Sequence, residues 1–181
     1  MNRRVSKIIP RSFYARAAAV VARELLGKLL VHGETSGIII ETEAYLGTGD
    51  LAAHSAAGIT ARTRVIFGEP GHAYVYLNYG IHECLNIVTE PRGVAGCVLI
   101  RALKPVDGIE CMLTRRKGAK DLAGGPGKLT QALGITRALN GADVTEGPLT
   151  VHDLGLSPEI QVTKRIGITK STDLMLRFLA I

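Results

Sequence analysis

The chain has no tryptophan, three phenylalanines and five tyrosines in 181 residues, so its core has to be built from aliphatic side chains. Three cysteines, odd in number and never spaced as CxxC, exclude a disulfide framework and speak against a thiolate metal site. They are expected to be free thiols in a reducing compartment. No apolar run reaches the ~18–20 residues of a membrane span. The longest candidate, Ala17 to Val31, is interrupted by Arg23, Glu24 and Lys28. Acid is missing from the start of the chain. Arg3, Arg4, Lys7, Arg11 and Arg16 fall in the first 20 residues without one carboxylate. The basic stretch Met1–Tyr14 is not followed by a signal-peptide core, so an intracellular protein is expected.

What is present fits one domain over residues 1–181, with residues 1–14 as a basic arm. The formal charge is +6, and a second basic cluster runs Arg115-Arg116-Lys117-Gly118-Ala119-Lys120. Such clusters suit a polyanion, because each neutralised phosphate releases counterions, but they suit a merely soluble basic surface as well. Ser12 could cap a helix through Ala15–Leu30. Ile38–Leu46 reads as a strand, Leu51–Ala57 as a short helical turn, and Ala73–Leu77 with Ile81–Val88 as a hairpin turning at Asn78-Tyr79-Gly80. A strand over Ala95–Leu103, helices over Val106–Arg116 and Gly127–Leu133, and short strands at Leu149–His152 and Gln161–Ile168 complete the pattern. Strands and helices do not alternate, so a mixed α+β domain is expected: a curved antiparallel sheet, flanking helices and a protruding hairpin.

Four of the five tyrosines (Tyr45, Tyr74, Tyr76, Tyr79) fall between Ile38 and Arg101. Two carboxylates, Glu41 and Glu43, sit beside the first. Strand alternation puts Ile39, Glu41, Glu43 and Tyr45 on one face of their strand, and Tyr74 and Tyr76 together on one face of theirs. The carboxylates fit a solvated sheet edge with surface ion pairs, or a carboxylate base walled by an aromatic ring. Tyr79 at the turn is either a plain surface ring or a wedge able to enter a minor groove. Aromatics gathered around acids in a basic chain would suit stacking of a nucleobase. His72, His82 and Glu83 lack metal-site spacing. In Gly125-Pro126-Gly127-Lys128 the lysine is followed by Leu129, which speaks against a nucleoside-triphosphate loop.

The segments Ile40-Glu41-Thr42-Glu43-Ala44-Tyr45-Leu46-Gly47, Ala53-His54-Ser55, Pro70 to Tyr76, Tyr79-Gly80, Leu85-Asn86 and Val98 to Leu103 resemble the alkyladenine (3-methyladenine) DNA glycosylase family. So does Gly125-Pro126-Gly127-Lys128-Leu129-Thr130-Gln131-Ala132-Leu133. The resemblance implies a monofunctional, metal- and cofactor-free glycosylase that extrudes damaged purines from duplex DNA. It implies a monomer, in the cytoplasm at the nucleoid if the source is a bacterium. It assigns Glu43 as the base that activates water and Arg101 as its helper. Tyr45 on one side and Tyr76 with His54 on the other would sandwich the base. Asn86 would guard the pocket floor, and Tyr79 would be the wedge. Tyr74 has no part in that division of labour and is expected to serve packing. The chain departs from the family pattern at Thr63, Ile66 and Asn78.

Overall fold

The computed structural model describes residues 6–181, and Arg3 and Arg4 of the basic arm lie outside the described residues. Lys7–Ile8 forms a short strand, β1, and Arg11–Tyr14 one turn of helix, α1. Ser12 falls inside that turn, so the single helix expected from Ala15 to Leu30 is not formed. A second helix, α2, covers Ala18–Glu24. It ends because Gly27 takes a left-handed φ of +82° against Pro158, where a side chain would collide. The branched and aliphatic run Leu29–His32 (β2) then pairs with Thr35–Tyr45 (β3) across a tight turn.

The predicted hairpin forms as β4 (Ala73–Asn78) and β5 (His82–Thr89). A long strand, β6 (Gly96–Asp107), absorbs Val106 and pushes the start of α3 (Ile109–Arg115) past Gly108. Pro126 opens α4 (Pro126–Leu133), where a missing N–H costs nothing, and left-handed Gly134 closes it. Three strands follow: β7 (Leu149–Asp153), β8 (Ile160–Thr163) and β9 (Arg177–Ala180). Only the first part of the expected Gln161–Ile168 strand is extended; the rest is loop.

All pairings between these strands are antiparallel and join them into one sheet in the order β1-β7-β2-β3-β6-β5-β4. Strand β9 pairs with both β8 and β3. The architecture is a single mixed α+β domain built on a curled antiparallel sheet. Among the described residues no helix is long and apolar enough to cross a membrane.

Alternation sorts the sheet's two faces. Ala73, Val75, Leu85, Ile87, Val98 and Ile100 enter the main core with α2 and α4. Their neighbours Tyr74, Val88 and Cys97 build a second, smaller cluster on the other face, with Tyr45 and Tyr76 packed against it. Strand β3 breaks the simple parity rule. Ile39 and Ala44 both lie in the main core although they are an odd number of residues apart. The irregular pairing of Glu41 with Ala102 lets both strands change face there. Ile39 therefore leaves the face of Glu41, Glu43 and Tyr45, where alternation alone would put it. The edge partner of β3 also changes at this point, from β2 on Thr35–Ile38 to β9 on Glu41–Glu43. That exchange brings the loop between β8 and β9 onto the second face.

Candidate active site

The side chains on this second face surround a cavity of about 1080 Å³. Tyr45 from β3, Tyr76 from β4, Asn86 from β5 and Arg101 from β6 line it. The 3-10 turn His54–Ala57 adds His54, and the β8–β9 loop adds Ile166 to Lys170. Six of the seven residues singled out in the sequence thus border one space, Tyr79 at the hairpin tip among them. Glu43 lies just behind the wall.

Glu43 is fully buried, and each of its three partners is a donor. Its Oε2 accepts from the Tyr45 hydroxyl at 2.9 Å and from Arg101 Nη1 at 3.3 Å. Its Oε1 accepts from the Ile166 backbone N–H at 3.0 Å. Contacts made only to donors are those an ionised carboxylate can use in full. Since each carboxylate oxygen offers two acceptor sites, Oε1 keeps one free to take a proton. Glu41 is different: its Oε1 accepts from Arg101 Nε at 2.9 Å and Arg177 Nε at 2.7 Å. Arg101 thus ties the two carboxylates together, and Glu41 serves as its anchor.

Tyr76 stacks on Tyr74 with ring centroids 5.3 Å apart and an angle of 28° between the planes. His54 meets Tyr76 edge-on at 4.7 Å. Burial, and then the charge of Arg62, lower the His54 pKa below its usual 6.5, so the ring is neutral at physiological pH. Arg62 can only donate, so its Nη2 at 3.5 Å makes His54 Nε2 the acceptor. Nδ1–H is then left to donate to the Tyr74 hydroxyl at 3.0 Å. Arg62 Nε donates to the same hydroxyl at 3.2 Å, and its guanidinium lies 4.9 Å from the Tyr76 ring centre. Tyr74 packs as expected, and through its hydroxyl it also orients His54. Desolvation and then the nearby Glu43 carboxylate push the Tyr45 pKa far up, so that hydroxyl stays a donor.

Asn86 is buried. Its Nδ2 donates to the Tyr74 carbonyl at 3.4 Å, and the Cys97 thiol faces its Oδ1 at 3.9 Å. Burial pushes the Cys97 thiol up to about 12, so it remains protonated and can donate. The hairpin tip is exposed: Tyr79 is 83% accessible and sits at φ +49°, followed by Gly80 at +68°. Two positive φ values in succession are what a tight, twist-matched hairpin turn demands. The family model for methylpurine-DNA glycosylase matches residues 12–180. The chain belongs to the methylpurine-DNA glycosylase family. It is 54% identical over 181 residues to a protein of Methanoculleus marisnigri named "Putative 3-methyladenine DNA glycosylase", covering 94% of this chain and 93% of that one. Proteins of the same name in Methanocella arvoryzae and Rhodopseudomonas palustris are 51% and 50% identical, covering 89% and 94% of this chain and 84% of each relative.

Several residues of this glycosylase-family site escape sequence reading. The Asp50–Arg165 pair and the Ile166 N–H to Glu43 join residues more than 100 positions apart, and Arg62 reaches His54 and Tyr74 only once the turn at His54 and the strand β4 have folded. Thr63, a departure from the family pattern, is buried and used locally, donating to the Gly58 carbonyl and accepting from Thr60 N–H. Part of the second basic cluster is also committed internally. Arg115 donates to the Ala132 carbonyl near the end of α4, and Arg116 donates to Gln131.

Proposed function

We propose that the chain is a monofunctional DNA glycosylase that extrudes an alkylated or deaminated purine from duplex DNA and hydrolyses its N-glycosidic bond. Water attacks the sugar carbon, the bond to the purine nitrogen breaks, and the base leaves with the bonding electrons. Glu43 takes the water's proton and its charge stabilises the positive sugar in the transition state. Arg101 holds Glu43 in place. Tyr45 forms one wall of the base slot and Tyr76 with neutral His54 the other. An uncharged imidazole does not repel the cationic ring of a methylated purine, and tyrosine faces attract it. Asn86 guards the floor against the exocyclic amine of undamaged guanine. Tyr79 fills the gap left in the duplex, and flipping costs least where a pair is already weakened. One chain supplies every group, which suits a monomer on duplex DNA.

The observation that carries this reading is Glu43 itself: a fully buried carboxylate with donors alone around it, directly behind the wall formed by Tyr45 and Arg101. No lysine lies between Ile38 and Arg101, and Lys170, which borders the cavity, is exposed. A strand-cleaving lyase step is therefore not expected. The test is base release from duplexes carrying hypoxanthine, ethenoadenine, 3-methyladenine or 7-methylguanine, with borohydride added in a parallel set. Release without a trapped covalent adduct is expected. Tight binding to the lesions with no release of any base would overturn the hydrolytic reading, and an adduct would overturn the monofunctional one.

A further inference from the structure

Asp50 and Arg165 form an ion pair whose side chains are both fully buried, and the proposed hydrolysis does not use it. As a stabilising device a buried pair is inefficient, because the loss of hydration offsets much of the attraction. What it touches gives it another role. Arg165 Nη1 donates to Asp50 Oδ2 at 2.6 Å and to the Ala44 carbonyl at 3.1 Å. Its Nη2 donates to Asp50 Oδ1 at 2.9 Å and to the Ser171 carbonyl at 3.3 Å. Asp50 in turn accepts from the backbone N–H of Leu46 at 3.0 Å and of Ala52 at 3.1 Å.

These backbone points belong to different walls of the site. Ala44 lies between Glu43 and Tyr45. Leu46 and Ala52 bracket the irregular segment that leads from β3 to His54. Ser171 lies on the β8–β9 loop, and its hydroxyl also accepts from Leu51 N–H at 3.1 Å. Ile166, the residue after Arg165, donates its N–H to Glu43. The Arg165 guanidinium carbon is 4.7 Å from the centre of the Tyr45 ring. Two loops without regular structure and one strand edge therefore meet at a single pair of charges, while Arg165 Nε remains buried without a partner.

We propose that the Asp50–Arg165 pair is the positioning element of the site, fixing Glu43, the Tyr45 ring and the His54 segment relative to one another before DNA arrives. Neither residue touches the reacting atoms. Each acts through the backbone it holds. Displacements of about 1 Å around a reacting centre cost on the order of 100-fold in rate, which is the scale at stake if either loop is released. This role rests on the hydrolytic function proposed for Glu43.

The test is single-turnover base release with enzyme in excess, on whichever lesion duplex the wild-type protein cleaves fastest. It is run on Arg165→Lys and Asp50→Asn at a temperature where circular dichroism finds each variant folded. Lysine keeps the charge but reaches fewer of the carbonyls. Asparagine keeps the shape and removes the charge. The expected result is a rate constant lowered roughly 10- to 100-fold at full amplitude, with duplex affinity within about threefold of wild type. A purely structural pair would instead lower the melting temperature and leave the rate constant of the folded protein at the wild-type value. That outcome overturns the proposal, as does failure of both variants to fold. If the wild-type protein releases no base, the hydrolytic reading fails instead.

Discussion

Replacing Glu43 by glutamine removes one negative charge and almost no volume, and its surroundings determine the outcome. The carboxylate faces three donors: Tyr45 hydroxyl, Arg101 Nη1 and Ile166 N–H. A glutamine can offer its oxygen to only one side. Arg101 is the costlier group to leave opposed by an N–H, so the oxygen turns toward Arg101 and Tyr45, and the amide nitrogen meets Ile166 N–H. One buried donor is left unmet, at about 1–3 kcal/mol. For a chain of this size each kcal/mol lowers Tm by ~2–4 °C, so a fall of roughly 2–12 °C is expected. Arg101 keeps its contact with Glu41, which limits the damage. The chemical step should suffer far more. Loss of a general base costs ~100- to 10,000-fold, equivalent to about 2.7–5.4 kcal/mol in the barrier. A protein folded at about 25 °C thus cleaves at a small fraction of the wild-type rate, while duplex affinity hardly changes. Single-turnover release and fluorescence anisotropy on the same lesion duplex measure the two quantities, and thermal melting measures the third. A Glu43→Gln protein that releases base within tenfold of the wild-type rate would refute its role as the base.

Tyr79→Ser should weaken binding to a lesion duplex by roughly 5- to 160-fold, since a stacked ring is worth ~1–3 kcal/mol, and should leave single-strand affinity nearly unchanged. Competition binding compares the two, and equal losses would remove the wedge. Log Kd should rise with log salt by ~0.9 for each phosphate neutralised, measurable between low and moderate salt; a flat response would argue against a DNA-backbone footprint. His54 has a lowered pKa, because burial and then Arg62 oppose its charged form. Below its ordinary 6.5 the unfolded chain therefore binds more protons than the folded one, and stability falls as pH drops through that range but stays level above it. Urea midpoints measured from about pH 7 to pH 5 should decline, and the decline should lessen in His54→Gln.

The strands at Ile38–Leu46, Ala95–Leu103 and Leu149–His152, the hairpin and both later helices were legible because their patterns are local, whereas β1, β2 and β9 were not expected. Alternation in Ala73–Thr89 needs no knowledge of what lies across the sheet, and Pro126 and Gly134 mark their helix by backbone chemistry alone. Parity failed at Ile39 because an irregular pair, Glu41 with Ala102, depends on β6 and on the change from β2 to β9 along one edge. The expected long helix failed because Gly27 packs against Pro158, a contact invisible in either segment. Strand phase alone set Glu43 beside Tyr45 and Tyr74 beside Tyr76; joining Tyr76 and Asn86 to Glu43 came from the family resemblance. Arg165 could not be placed, because it meets Asp50 across 115 positions of sequence and lies where a strand was expected but a loop forms. Tyr74 was underrated for the opposite reason. Its burial was readable, but its hydroxyl's bonds to His54 and Arg62 exist only once three separate segments have folded.

The left-handed backbone of Tyr79 has a bearing on how this protein can be engineered. A non-glycine residue at φ +49° is held at a cost of about 1–2 kcal/mol relative to glycine, with an aromatic ring left in water. Any selection for heat resistance or shelf life has an easy gain available at this position, and it would take that gain by discarding the ring. With Tyr79 as the proposed wedge, a hardened version of this protein is best obtained with position 79 excluded from the library, because there stability and the wedge call for different residues.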